Sequence, residues 1–214
     1  MWTVEDINKA DDYREFWWTL NTSPENTIAL NGSSATIAGW RRGNHLDIHF
    51  ALPDPASFPK PHTLTLMQEE TGISPSDEIP NPRPNALSYS RPAAMVNGIV
   101  FVRPRLIAKV VGYNGRFMSL MLPRLEGRPP ALVERLPAID NDLAMRITFE
   151  KVYDTLIWAY EHHLLEAGDV EARGQWCVVR RDRRSGRVVN FAVGEGEVLR
   201  VGGRLLAPVA RNKR

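Results

Sequence analysis

The stretch that decides the fold class is DNDLAMRITFEKVYDTLIWAYEHHLLEA, residues 140–167. Met145, Phe149, Val152, Leu156 and Tyr160 recur there at helical spacing, and Ile147, Ile157 and Leu164 widen the apolar stripe. Asp140 or Asn141 stands where an N-cap belongs, and Gly168 follows as a stop signal. This reading predicts one long helix over 140–167. Residues 4–20 predict a second helix: Asp6 can cap it, and Ile7, Ala10, Tyr13, Phe16/Trp17 and Leu20 follow at helical intervals. Pro24 then breaks the pattern.

Between and beyond these segments the period falls to two. Residues 27–30 and 35–40 predict strands around Asn31-Gly32-Ser33-Ser34. Residues 44–52 alternate most cleanly: Leu46, Ile48 and Phe50 face one side, and His45, Asp47 and His49 face the other. Further strands are expected at 62–68, 96–102, 105–113 and 116–122, with Asn114-Gly115 as a turn between the last two. The tail predicts two hairpins. One pairs 175–181 with 187–193, and the other pairs 198–201 with 204–207. The stretch 53–92 holds 9 of the 16 prolines, and 75–92 reads as a long surface loop.

The expected fold is therefore α+β. A largely antiparallel, curved or barrel-like sheet would be packed by the helix over 140–167 and by the N-terminal helix, with β-hairpins at the C-terminus. Residues 1–170 would form the core domain. Residues 171–214 would be a basic extension packed on it. Alternating βα units are absent, which argues against a doubly wound sheet.

With 214 residues and 43% hydrophobic content the chain is long enough to bury a core. The single cysteine, Cys177, excludes an intramolecular disulfide and a multi-cysteine zinc site. The N-terminus has neither the basic start nor the apolar run of a signal peptide, and no apolar stretch is long enough to span a bilayer. A cytoplasmic protein without membrane contact is the resulting expectation. The net charge of +2 is unevenly placed. Residues 171–214 carry 11 Lys+Arg against 4 Asp+Glu, a net of +7, and the rest carry 16 against 21, a net of −5. That asymmetry points to an anionic partner for the basic part, either nucleic acid or an acidic protein surface.

Two constellations can carry function. The first is Arg180, Arg181, Arg183, Arg184 and Arg187, five arginines within eight residues at a hairpin tip. A two-stranded ribbon fits a major groove, and arginines bind phosphates or guanine edges. Equally, such charges can simply keep an exposed edge soluble. The second is His45, Asp47 and His49, at the i, i+2, i+4 spacing of one strand face. Two imidazoles and a carboxylate there can converge on a metal, or a His–Asp pair can do acid–base work. An ordinary half-solvated strand shows the same alternation. Trp40-Arg41-Arg42-Gly43 is a minor stacking candidate, and His162-His163 reads as a helix end. No glycine-rich phosphate loop and no Ser-centred GxSxG elbow occurs.

The first functional expectation is a non-enzymatic protein that binds nucleic acid or another polyanion through the arginine-rich hairpin, with no cofactor. The alternative is a metal-dependent, phosphodiesterase-like hydrolase using a divalent ion on the His45/Asp47/His49 face. A third is a small-molecule-binding, β-barrel-like protein with that face lining its interior.

Overall fold

Residues 143–167 are not a helix. In the computed structural model, which describes residues 2–23, 25–39, 43–52, 65–73, 101–138, 143–194 and 198–206, there is no helix among the described residues. The expected α+β class is corrected to all-β, with antiparallel pairing throughout. The expected caps Asp140 and Asn141, the loop over 75–92, and Trp40, Arg41 and Arg42 lie outside the described residues.

The chain divides into two compact units, Met1–Arg128 and Pro129–Arg214. In the first, β1 (Trp2–Asn21), β2 (Thr27–Asn31), β3 (Ser34–Ala38), β4 (His45–Leu52), β5 (Thr65–Ile73) and β6 (Phe101–Arg124) form one sheet of order β1-β6-β4-β3-β2. Strand β5 also pairs with β6. The expected helix over 4–20 is strand β1. Its residues Phe16, Trp18 and Leu20 lie opposite Val110, Ala108 and Leu106 of β6 and pack into the core. The helical reading grouped Phe16 with Trp17, but the aromatic-rich end alternates with period two, as a strand with one buried face requires.

The expected turn at Asn114-Gly115 is absent as well. Lys9 and Asn8 of β1 pair with these two residues, so β6 runs extended for 24 residues. The irregularity falls instead between Lys9 and Arg14 of β1, as a register shift. A continuous partner strand thus overrides the local turn preference of an Asn-Gly pair. Strand β4 keeps the expected alternation: Ile48 and Phe50 are buried and, with Leu46, pack with Ile28, Ala35 and Ile37 of the neighbouring hairpin.

In the second unit, β7 (Leu132–Leu136), β8 (Leu143–Thr148), β9 (Val152–Ala167), β10 (Val170–Asp182), β11 (Val188–Gly194), β12 (Val198–Val201) and β13 (Arg204–Leu206) give the order β13-β12-β10-β9-β8-β7. Strand β11 pairs with β10 beside β12. The segment expected to be helical is thus β8 and β9, joined by a tight turn in which the Phe149 amide donates to the Val152 carbonyl at 2.8 Å. Asp154, Thr155, Leu156 and Ile157 are all buried, so β9 is covered on both faces there. A strand buried on both sides reads as a continuous apolar run, and its period no longer separates it from a helix. The β-branched and aromatic content (Ile147, Thr148, Val152, Tyr153, Thr155, Ile157) is what the strand exploits.

Gly168, expected to stop a helix, sits instead in the β9–β10 hairpin turn at φ 61°, a conformation that favours glycine. Along β9 and β10 the pairing shifts between Gly174 and Trp176, so Ala159–His162 as a group face Gln175 alone. The core of this unit gathers Ala144, Ile157, Leu165, Val170, Cys177, Val179, Val193 and Leu199. Trp176 stacks on its cross-strand partner Trp158 with ring planes 8° apart, and Gly194 leaves the room its indole needs.

Burial pushes the Cys177 thiol up to about 12. The thiolate is the reactive form. Cys177 in the folded protein is therefore expected to resist a disulfide exchange reagent at pH 8 and to react fully once urea unfolds the chain. Fast labelling of native protein would contradict its placement in the core.

Candidate functional site

The β10–β11 hairpin carries the five arginines, and the structure separates them into two groups. Arg180 lies opposite Asp154 of β9 and donates through Nε and Nη2 to the two carboxylate oxygens, both at 2.7 Å. Asp154 is fully buried, whereas the Arg180 side chain is 43% exposed. Arg181 lies opposite Tyr153. Its Nη2 donates to Asp169 at 2.7 Å and its Nη1 to the Tyr153 hydroxyl at 3.4 Å. Burial opposes the Arg181 charge, but these two partners outweigh it and hold the guanidinium firmly protonated.

Arg183, Arg184 and Arg187 are exposed and have no carboxylate partner among the described residues. They sit in a built turn. The Asp182 carboxylate accepts from the Ser185 hydroxyl at 2.7 Å, from the Ser185 amide at 2.8 Å and from the Arg184 amide at 3.2 Å. These bonds, led by the Ser185 hydroxyl, hold Asp182 below the usual carboxylate range. Gly186, at φ 68°, closes the turn by donating its amide to the Asp182 carbonyl. The Arg183 amide donates to the Lys151 carbonyl at 2.9 Å, which joins this turn to the exposed β8–β9 turn. Lys151 is therefore a fourth cation at the same end of the sheet. Sequence reasoning missed it because a helix over 140–167 has no turn at 149–151; a break between two β-rich runs is the signal that could have found it.

On β4, His45, Asp47 and His49 do share one strand face, beside Arg124, Leu122 and Leu120 of β6. The structure brings Asp47 to Arg124 rather than to the histidines. Arg124 donates Nε to Asp47 Oδ2 at 2.7 Å, Nη2 to Oδ1 at 3.1 Å and Nη1 to the Arg128 carbonyl at 3.0 Å. The Thr36 hydroxyl adds a bond to Oδ1 at 2.8 Å. Burial by itself would raise the Asp47 carboxyl, but the hydrogen bonds from Arg124 and Thr36 and the nearby positive charge hold it below the usual range. Burial pushes His49 below the ordinary imidazole value, against the opposing pull of Asp47. His45 Nδ1 and His49 Nε2 are buried with no hydrogen-bond partner among the described residues. Both Asp47 oxygens face cationic or hydroxyl donors, a poor setting for a cation, and among the described residues no group of three or more His, Cys, Asp or Glu is placed to hold a metal ion.

Among the described residues the fold is all-β, in two sheets, with a cationic hairpin tip. No family model and no curated protein matches the sequence. Among the described residues no helix is long and apolar enough to cross a membrane.

Proposed function

We propose that the chain is a non-enzymatic binding protein that contacts nucleic acid through the tip of the β10–β11 hairpin. The observation that carries this reading is the pairing pattern of the arginines. Arg180 and Arg181 are engaged by Asp154 and Asp169, while Arg183, Arg184 and Arg187 are exposed beside Lys151 without acidic partners among the described residues. The two paired arginines anchor the strands under the tip, and the three exposed ones are left to meet phosphates. A tip held by Asp182 and Ser185 presents these charges with less ordering cost than a free loop. Phosphate contacts supply affinity and positioning rather than sequence choice.

The test is fluorescence anisotropy with labelled DNA and RNA, single- and double-stranded, across a salt titration. Binding is expected to weaken steeply with salt. The Arg183→Ala/Arg184→Ala variant is expected to lower the slope on duplex DNA by about 2, near 0.9 for each phosphate no longer neutralised. Its stability should be unchanged, because both side chains are exposed. No binding at low salt, or the same slope in the variant, would remove the reading. Binding to poly-glutamate without binding to nucleic acid would replace it with an acidic protein surface.

A further inference from the structure

Arg180 differs from the three tip arginines in one respect: its charge is already balanced, yet its side chain is 43% exposed. The fully buried Asp154 carboxylate takes only the side edge of the guanidinium, through Nε and Nη2. A guanidinium carries five N–H donors. The end edge, made by Nη1 and the second Nη2 hydrogen, remains, and the Arg180 side chain has no other hydrogen-bond partner among the described residues. Two bonds of 2.7 Å fix the plane of this fork, and its central carbon lies 5.9 Å from the centroid of the Phe149 ring.

The other cross-strand neighbour of Arg180 is neutral. Asn190 of β11 lies opposite it and is exposed. Directly opposed residues share one face of a sheet. The Asn190 Oδ1 accepts the Phe191 amide at 2.8 Å, so the Asn190 amide group is left as a donor. Further along β10, the Asp182 carboxylate is occupied by Ser185 and the Arg184 amide. Glu150 and Asp182, the acidic residues of the two turns, are outnumbered by Lys151, Arg183, Arg184 and Arg187, so the tip stays positive. Three residues of extended chain reach about 10 Å, roughly three base-pair steps. Arg180 thus lies within that reach of Arg183.

We propose that Arg180 is a base-reading residue, selective for guanine in the major groove of duplex DNA; this rests on the nucleic-acid contact proposed for the hairpin tip. Guanine presents two neutral acceptors in that groove, O6 and N7, and a guanidinium meets both with parallel N–H bonds. The Arg180–Asp154 pair is neutral as a unit, which suits neutral acceptors, whereas Arg183, Arg184 and Arg187 keep their charge for phosphates. A fork fixed before contact loses less freedom on binding. A two-stranded ribbon enters the major groove of DNA, while the deep, narrow major groove of duplex RNA is closed to side chains.

The experiment follows anisotropy of three labelled duplexes titrated with the full chain: alternating G·C, alternating A·T, and alternating G·C with 7-deazaguanine in place of guanine. The third lacks the N7 acceptor but keeps base pairing and charge. Wild type is expected to bind the unmodified G·C duplex at least about fivefold more tightly than either of the others. The salt slope should be the same on all three, because no phosphate contact changes. Arg180→Lys keeps a cation beside Asp154 but loses the fork, so the three affinities should converge. A purely structural Arg180 would alter the melting temperature and not the base preference. The modified duplex tests the wild-type chain directly, so the outcome does not depend on how well the variant folds. Equal wild-type affinity for the G·C and 7-deazaguanine duplexes would overturn the proposal and leave the phosphate contact standing. A guanine preference kept by folded Arg180→Lys would overturn it too. No binding of any duplex at low salt would remove both readings.

Discussion

Replacing Arg124 with Ala will destabilise the protein by about 3–5 kcal/mol, the range for removing one partner of a buried ion pair. The Asp47 side chain is 5% exposed and that of Arg124 18%, so the stranded carboxylate has little access to water. It would keep only the Thr36 hydroxyl as a donor among the partners described. Arg124→Lys should recover part of the stability, because an ammonium restores charge but not the two-pronged contact. Urea unfolding at several pH values checks this and its sign. In the native protein Asp47 titrates below its unfolded value of about 3.9, so its stabilisation is present above that pH and fades as acid protonates it. His49 also titrates below its unfolded value, about 6.5, so stability declines further as pH falls through that region. In Arg124→Ala the buried Asp47 should instead favour its neutral form. The gap between variant and wild type is then expected to narrow as the pH drops from 7 to 4. A destabilisation below about 1 kcal/mol, with parallel pH profiles, would mean the pair behaves like a surface salt bridge.

Replacing Arg180 with Ala will cost about 3 kcal/mol, the low end of the same range, because the Arg180 side chain is 43% exposed while Asp154 is not exposed at all. The Arg180 guanidinium also lies 5.9 Å from the centroid of the Phe149 ring, a weaker cation–π attraction that the substitution removes as well. The double replacement Asp154→Leu/Arg180→Leu should recover most of the stability, since an apolar pair leaves no charge buried. Arg183→Ala serves as the control and should stay within about 0.5 kcal/mol of wild type. Denaturation midpoints for the four proteins decide the matter. Equal midpoints for Arg180→Ala and Arg183→Ala would mean that the two arginines play the same solvated role.

Much of the strand pattern was legible because one-faced burial writes itself as alternation. The β4 stretch shows the alternation most clearly: Leu46, Ile48 and Phe50 go to the apolar core as their spacing requires, although Asp47 on the other face is buried too, against Arg124. The C-terminal hairpins were legible for a second reason, because Asp182–Gly186 and Gly202-Gly203 are turn residues between alternating runs. The stretch over 140–167 failed for the opposite reason. Residues 154–157 of β9 are buried on both faces, with Asp154 and Thr155 buried beside Leu156 and Ile157, so strict apolar–polar alternation is lost and a helical stripe can be drawn through the segment. At the N-terminus, Phe16 and Trp18 could be assigned only once β6 was known to run beside them.

By itself, then, the sequence determined where one-sided strands and tight turns lie, that charge concentrates at the C-terminus, and that five arginines crowd one hairpin. These are local properties, set by side-chain alternation and turn chemistry. Which arginines remain available was decided by tertiary structure alone. Asp154 and Asp169 are 26 and 12 residues from their arginines, and cross-strand register brings them together. The same holds for Asp47 and Arg124, 77 residues apart. A charge keeps its sign in the sequence, but whether it is free or neutralised depends on which strands lie alongside, and that is set by packing across the whole sheet.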